Sequence, residues 1–481
     1  MFRRLLLSLF IITQVQAQTF ADFVRRVNIL PQSQRQAVVD SFLAAVTVFP
    51  YVENDTTVHF LYNGSANYMQ LAGDANGWDP SKTFLNKLST TSLWYLSKKY
   101  ESDARLDYKF VVNGNSWLLD PKNPNQCYGG FGPNSELRMP AYVPPPEVVY
   151  NASVPHGVIR DSLVFSAALN NSRTIRIYTP PGYEASSRRY PMVLVHDGPE
   201  YISLAQMNNV MDNLIAAGRI EPVVAFFVPP SSAGERTAEY AGEKEAAFSD
   251  FICKQLVPYW LEHYRIEPAA DRHLVMGASN GGNISLYLGM NRPDIWGLVA
   301  AQSSYIQPTL VSAFTNGDRA PIKIYLDLGT YDIALLIPLV RGIVPVLDQK
   351  GYSYFYQELH EGHSWGNWKA RLDDILEHFF SATGQGIEGR IGLPEMFELG
   401  QNYPNPFNPS TTIPFNLRQK GRVRLQVFDA LGREVAEVMD GSLNAGEYAI
   451  LFNASSLASG CYFYRLSLAD QMRQRRMVLM R

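Results

Sequence analysis

The residues of this 481-residue chain best suited to nucleophilic chemistry are Ser279, Asp332 and His363. Ser279 stands in Gly277-Ala-Ser-Asn-Gly281, behind the apolar run Leu274–Met276 and ahead of a helix-like apolar pattern (Ile284, Leu286, Tyr287, Leu288, Met290). Strand, tight turn and helix would lift the serine hydroxyl above a sheet on a strained backbone, with small flanking residues letting the turn close. Asn280 would then open the helix and aim its backbone N–H at a developing oxyanion. Asp332 lies in Leu328-Gly-Thr-Tyr-Asp-Ile333, just past a strand-like run. Asp327 competes with it but sits nearer the strand itself. His363 follows a glycine in Gly362-His-Ser-Trp-Gly-Asn-Trp368, and its competitor is His360. In such a set the histidine takes the serine proton and the aspartate fixes the imidazole tautomer.

Those residues need a sheet to position them. Between 150 and 382 strand-like runs alternate with helical patterns, as a mostly parallel sheet flanked by helices requires. The runs are Arg173–Tyr178, Met192–Val195, Val223–Val228, Leu274–Met276, Leu298–Ala301, Ile322–Leu326 and Tyr352–Glu358. Each candidate follows the carboxyl end of a strand, and the chain order Ser…Asp…His matches α/β-hydrolases. Beyond these positions, Tyr201, Trp365 and Trp368 are candidates to line a pocket.

Composition sets broad limits. The 42 basic and 45 acidic side chains nearly cancel, and no basic block points to nucleic acid. The three cysteines lie far apart, with no metal-ligand spacing and no disulfide framework, so no metal or other cofactor is expected. Arg3 and Arg4 precede the short apolar run Leu5–Ile12, and Val15-Gln-Ala17 ends in small-residue fashion, which predicts a secretory signal at 1–17. No later stretch is long and apolar enough to predict a transmembrane segment.

The remaining segments read as follows. Residues 18–55 carry apolar residues at helical spacing (Phe20, Phe23, Val27; Val39, Leu43) and form a helical lead-in. Residues 56–141 hold short alternating strands between Asn/Gly/Asp/Pro turns, a small β-sandwich. The proline-rich stretch 142–149 reads as a stiff spacer ahead of the 150–382 domain. A flexible linker follows at 383–394, and alternating strands at 395–481 form a second sandwich.

Three resemblances add to this reading. Tyr190-Pro-Met-Val-Leu-Val-His-Asp-Gly198, Arg236-Thr-Ala-Glu-Tyr240, the Gly277–Gly282 elbow, Gly329–Asp332 and Gly362–Trp368 make 150–382 similar to the esterases that include enterochelin esterases, feruloyl esterases and esterase D. That implies a serine esterase working through an acyl-enzyme. Its substrate would be a catecholate siderophore, a feruloyl or acetyl ester on polysaccharide, or a thioester, with a carbohydrate-borne ester preferred here. It also implies a place near substrate for Arg236 and Glu239, with an exposed or structural ion pair as the alternative. The family's second oxyanion donor falls at Pro199, which has no N–H; a small shift of the turn would let Gly198 or Glu200 supply it.

Gly73-Asp-Ala-Asn-Gly-Trp-Asp-Pro80, with Tyr108–Gly114 and Trp117–Pro121, resembles early-set, immunoglobulin-like sandwiches, including family 48 carbohydrate-binding modules. Trp78, Lys109, Trp117 and Asn134 fall where the sugar-binding members hold glucan, although packing of both tryptophans in a small core or against the next domain is the preferred reading. Leu399-Gly-Gln-Asn-Tyr-Pro-Asn-Pro-Phe-Asn-Pro409 and the strands after it resemble the type A sorting domain of type IX secretion. That implies passage through the outer membrane of a Gram-negative cell, removal of the domain, and release or surface attachment. Two other readings remain open: a secreted carbohydrate- or ligand-binding protein with a vestigial hydrolase domain, and a serine peptidase on the same fold.

Overall fold

The computed structural model describes residues 19–130, 132–382, 397–417, 420–429, 433–468 and 471–480. The expected signal at 1–17 and linker at 383–394 lie outside the described residues. The chain divides into two compact units, Met1–Gly389 and Arg390–Arg481.

The first unit begins with helices α1 (Phe20–Ile29) and α2 (Gln32–Ala45). Thr19 and Asp22 form a reciprocal capping box that starts α1. Phe20, Phe23, Val27, Val39 and Leu43 come together on one side and pack on Leu61, Leu88 and Leu93 of the segment that follows. Its strands are β1 (Tyr51–Val52), β2 (Thr57–Asn63), β3 (Met69–Gly73), β4 (Asn86–Lys87), β5 (Leu93–Lys99), β6 (Arg105–Val112), β7 (Ser116–Leu118), β8 (Gln126–Gly129) and β9 (Gly132–Arg138). One sheet runs β1-β2-β5-β4, and β3, β7, β8 and β9 belong to another that includes β6. Val58, Phe60 and Leu96 from the first meet Leu71, Leu106, Phe110 and Leu137 from the second in a shared core.

The large sheet continues through β10 (Val158–Ser166), β11 (Asn171–Thr179), β12 (Met192–His196), β13 (Val224–Val228), β14 (His273–Ala278), β15 (Leu298–Gln302), β16 (Lys323–Tyr331) and β17 (Ser353–Gly362). Its order is β10-β11-β13-β12-β14-β15-β16-β17-β6-β9-β8. The run from β13 to β17 is parallel, while β10 and β11 pair antiparallel at its edge. Strands β12 to β15 are buried at every position, which is why they read as unbroken apolar runs rather than alternating ones. Helices α3 (Gly198–Ser203), α4 (Met207–Ala216), α5 (Arg236–Ala241), α6 (Glu245–Asp250), α7 (Val257–His263), α8 (Asn280–Asn291), α9 (Pro308–Asn316), α10 (Leu336–Lys350), α11 (Trp365–Lys369) and α12 (Leu372–Phe380) connect and flank the strands.

The sandwich and the 150–382 segment are joined where β17 pairs with β6 through Glu361 and Arg105. The proline-rich stretch between them is anchored. Asn213 Nδ2 of α4 donates to the carbonyls of Glu147 and Val149, so the backbone there is docked.

The second unit contains β18 (Phe397–Leu399), β19 (Ser410–Leu417), β20 (Gly421–Phe428), β21 (Glu434–Leu443), β22 (Gly446–Asn453), β23 (Gly460–Leu468) and β24 (Gln471–Leu479). They form sheets β18-β19-β22 and β21-β20-β23-β24, and Ile413, Phe415, Leu425, Val427, Tyr464 and Leu466 share one core. Cys127, Cys253 and Cys461 are free thiols. No helix among the described residues is long and apolar enough to cross a membrane.

Candidate active site

Strand order reverses between β12 and β14: β13 lies on the far side of β12, and the chain then returns to build β14 to β17. In open parallel sheets ligands bind beyond the carboxyl ends of the strands at such a reversal. Ser279 follows β14 there, and the Asp197-Gly198 turn follows β12.

Ser279 has φ 59° and ψ −121°, a conformation costly for any residue with a Cβ. Its N–H donates to the carbonyl of Gln302 at 2.9 Å, and its carbonyl accepts from the N–H groups of Gly282 and Tyr305. The turn therefore has fixed partners on both sides. A Cβ on Gly277 would lie 2.7 Å from the Gly281 backbone, so the elbow closes only over a glycine. Asn280 is the first residue of α8, where helical geometry leaves its N–H without an intrahelical acceptor.

Asp332 follows β16 directly and His363 follows β17. His363 Nδ1 is 2.7 Å from Asp332 Oδ1, and that oxygen also accepts the Ile333 N–H at 2.7 Å. The Asp332 side chain is wholly buried, and its Oδ2 has no hydrogen-bond partner. The His363 ring packs edge-on against Trp368. Among the described residues no hydrogen bond joins the Ser279 hydroxyl to His363. Such contacts are often long without substrate and tighten when it binds.

Both competitors are engaged elsewhere. Asp327 lies inside β16, where Oδ1 accepts the Ser303 N–H and Oδ2 accepts Gln302 Nε2, and burial pushes its carboxyl up to about 7. His360 Nδ1 is 2.7 Å from Asp103 Oδ1 of the sandwich.

The β12 end lies against the first turn of α8, since a Cβ on Gly281 would come within 3.3 Å of Asp197 Oδ2. Asp197 is left-handed (φ 53°) and is gripped by Arg236, with Nε and Nη2 each 2.7 Å from a carboxylate oxygen. Arg236 Nη2 also donates to the carbonyl of Ala278 at 3.2 Å, so one side chain ties this turn to the residue before Ser279. The Glu200 N–H is used by the Asp197 carbonyl. Gly198 begins α3, where its N–H has no intrahelical acceptor. A side chain there would strike the Phe227 backbone at 2.3 Å. His196 beneath the turn is fully buried, and burial, reinforced by the Arg236 charge, pushes its imidazole down to about 3.

The expected substrate contacts divide. Arg236 lies beside the elbow, with its guanidinium committed to the Asp197 carboxylate and the Ala278 carbonyl. Glu239 is corrected: it is wholly buried, pairs with both terminal nitrogens of Arg173 at 2.9 and 3.0 Å, and accepts from the Ser231 N–H and hydroxyl. Tyr201 is also corrected, being fully buried with its hydroxyl donating to Gln302 Oε1 at 2.8 Å. Trp368 is buried as well, and Trp365, packed edge-on to both Tyr201 and Trp368, stays partly exposed. Gln302 was missed by sequence reasoning. Its carbonyl receives the Ser279 N–H, and its amide donates to Asp327 and to the Trp368 carbonyl. The available signal was a polar residue closing the apolar run Leu298–Ala301.

In the sandwich, Lys109, Trp117 and Asn134 lie on one face, since Val111 opposes Trp117 and Tyr108 opposes Ser135. Trp117 is 44% exposed. The Asn134 amide donates to Asp107 at 3.0 Å, and the indole N–H of Trp78 donates to Asp74 at 3.0 Å.

Comparison with known proteins agrees with this architecture. Residues 166–379 match the putative esterase family, and residues 401–480 match the secretion system C-terminal sorting domain. An uncharacterised Bacillus subtilis protein, YjcH, is 24% identical over 46% of this chain and 97% of its own length. The iron(III) enterobactin esterase of Dickeya dadantii is 25% identical over 49% of this chain, which spans 60% of that protein. The crystal structure of the enterobactin esterase of Shigella flexneri shares the fold with a TM-score of 0.60 at 20% identity, covering 70% of this chain and 97% of its own.

Proposed function

We propose that this chain, an esterase-family domain at 166–379 followed by a secretion sorting domain at 401–480, is an exported serine esterase. One observation carries the reading: a strained serine at a strand–helix elbow shares a sheet end with a histidine whose Nδ1 is held by a buried carboxylate. In this reading Ser279 Oγ attacks the carbonyl carbon of a carboxylic ester while His363 Nε2 takes its proton. Asp332 stabilises the imidazolium, and the N–H groups of Asn280 and Gly198 receive the oxyanion. His363 then protonates the departing alcohol. Water, deprotonated by the same histidine, releases the acid from the acyl-serine and regenerates the enzyme. No metal or other cofactor is needed for these steps.

The substrate is an ester, and we favour one borne on carbohydrate, with a catecholate ester as the alternative supported by the enterobactin-esterase likeness. The sorting-domain match indicates export by the type IX machinery to the cell surface or beyond. We place the mature protein outside a Gram-negative cell after removal of the signal and sorting segments.

Ser279→Ala should lower turnover of a short-chain aryl ester by at least about a thousandfold, and a fluorophosphonate probe should label the wild type at Ser279 alone. An unlabelled, inactive but folded wild type would instead favour a binding protein with a vestigial hydrolase domain. Preference for peptide over ester substrates would favour a peptidase.

A further inference from the structure

The turn between β5 and β6 and the first residue of β6 meet the hydrolase segment through three alternating residues, Glu101, Asp103 and Arg105. Tyr331, the residue before Asp332, donates its hydroxyl to Glu101 Oε2 at 2.8 Å. His360, three residues before His363, sets Nδ1 2.7 Å from Asp103 Oδ1. Arg105 Nη1 donates at 2.8 Å to the hydroxyl of Ser364, the residue after His363. The loops that carry the proposed acid–base pair are thus both fastened to one turn of the sandwich.

Arg105 is the most constrained of the three. It is wholly buried, and its other two nitrogens donate to Glu136 (Nε to Oε1, 2.6 Å) and Asp107 (Nη2 to Oδ1, 2.6 Å), whose side chains are equally buried. A guanidinium held by two carboxylates keeps its plane and its third donor direction fixed. The backbone opposite has made room for it, since a Cβ on Gly366 would overlap the guanidinium carbon at 1.9 Å. Ser364 occupies the cap position of α11, where a serine hydroxyl ordinarily accepts a helix N–H, yet it makes no capping bond. His363 is therefore bracketed. Glu361 on one side is paired with Arg105 across β17 and β6, and Ser364 on the other accepts from the same arginine.

We infer that Arg105, acting through Ser364, is a positioning residue that sets the placement of the His363 imidazole, and that the sandwich serves as a structural part of the active site. This rests on the proposed role of His363. It assigns the sandwich a role that needs no sugar and extends to a residue 259 positions from its partner in sequence.

The test uses the full chain with an aryl ester and a fluorophosphonate probe. Arg105→Ala would strand two buried carboxylates and endanger folding, so the informative variants are Ser364→Ala and Ser364→Thr. Ser364→Ala should lower kcat and the rate of probe labelling together, by about tenfold, with KM within about twofold, because a small misplacement of a general base costs rate rather than affinity. Its thermal midpoint should fall by only a few degrees, on the order expected for one buried donor left unsatisfied. The acid limb of its kcat/KM profile should shift, and Ser364→Thr, which keeps the hydroxyl, should restore both rates. Wild-type kcat and labelling rate in Ser364→Ala would overturn the inference while leaving the esterase reading intact. So would a loss of activity matched by an equal loss of labelled sites, each turning over at full rate. A wild type whose turnover does not depend on Ser279 would sink both.

Discussion

His363 Nδ1 and Asp332 Oδ1 lie 2.7 Å apart, and the second oxygen of that carboxylate is buried without a partner. The bond fixes which ring nitrogen carries the proton, leaving Nε2 as the basic one. Asp332→Asn keeps the shape but can present an amide N–H to Nδ1 and favour the opposite tautomer. We expect kcat to fall on the order of a thousandfold or more, with KM little changed and the fold retained by circular dichroism. A loss below about tenfold would show that the carboxylate is not part of the chemistry.

Glu239 and Arg236 are three residues apart on α5 and have different work. Glu239 neutralises Arg173, and both side chains are inaccessible. Removing one partner of a buried pair strands the other charge, so Glu239→Ala should cost about 3–5 kcal/mol in denaturant unfolding. The folded fraction should keep its wild-type KM. A raised KM without loss of stability would return Glu239 to the substrate.

Glu245 gives the protein a pH-dependent stability. Burial pushes its carboxyl up to about 7, opposed by the hydrogen bond from Asn283 Nδ2 to Oε1 at 2.8 Å. The folded state thus holds this proton more tightly than the unfolded chain does. The stabilisation is complete below the ordinary carboxylate range and is lost as pH rises through about 7. Glu245→Gln keeps the oxygen that accepts from Asn283 and cannot ionise. Its thermal midpoint should match wild type at pH near 4 and exceed it at pH near 8. Equal midpoints at both values would rule out this carboxyl as a source of the pH dependence.

Of the four candidate sugar contacts, Trp117 offers the exposed aromatic face, while Trp78 and Asn134 have polar groups committed to Asp74 and Asp107. Titration of the intact protein with malto-oligosaccharides should leave tryptophan fluorescence unchanged up to tens of millimolar as an order of magnitude. A saturable change abolished by Trp117→Ala would establish a glucan site on that face.

Short-range patterns carried much of this architecture. The run Leu274–Met276 ahead of Gly277-Ala-Ser-Asn-Gly281 specifies a strand, a strained turn and a helix, because burial of both sheet faces demands continuous apolar residues and the elbow demands small ones. The alternation of such runs with helical patterns likewise marks a parallel sheet, and the order Ser…Asp…His follows from where the polar residues fall. Choices among near neighbours were decided by the tertiary structure. Asp327 and Asp332 differ by five positions, yet one faces Gln302 inside the sheet and the other meets His363 beyond its end. Arg236 and Glu239 share one helical turn and reach opposite partners, and Tyr201 turned inward because Gln302 was there to accept its hydroxyl. The docking of the sandwich through Arg105 depends on a partner 259 residues away. These outcomes are set by pairings between side chains remote in sequence, whose geometry exists only once the sheet has brought them together.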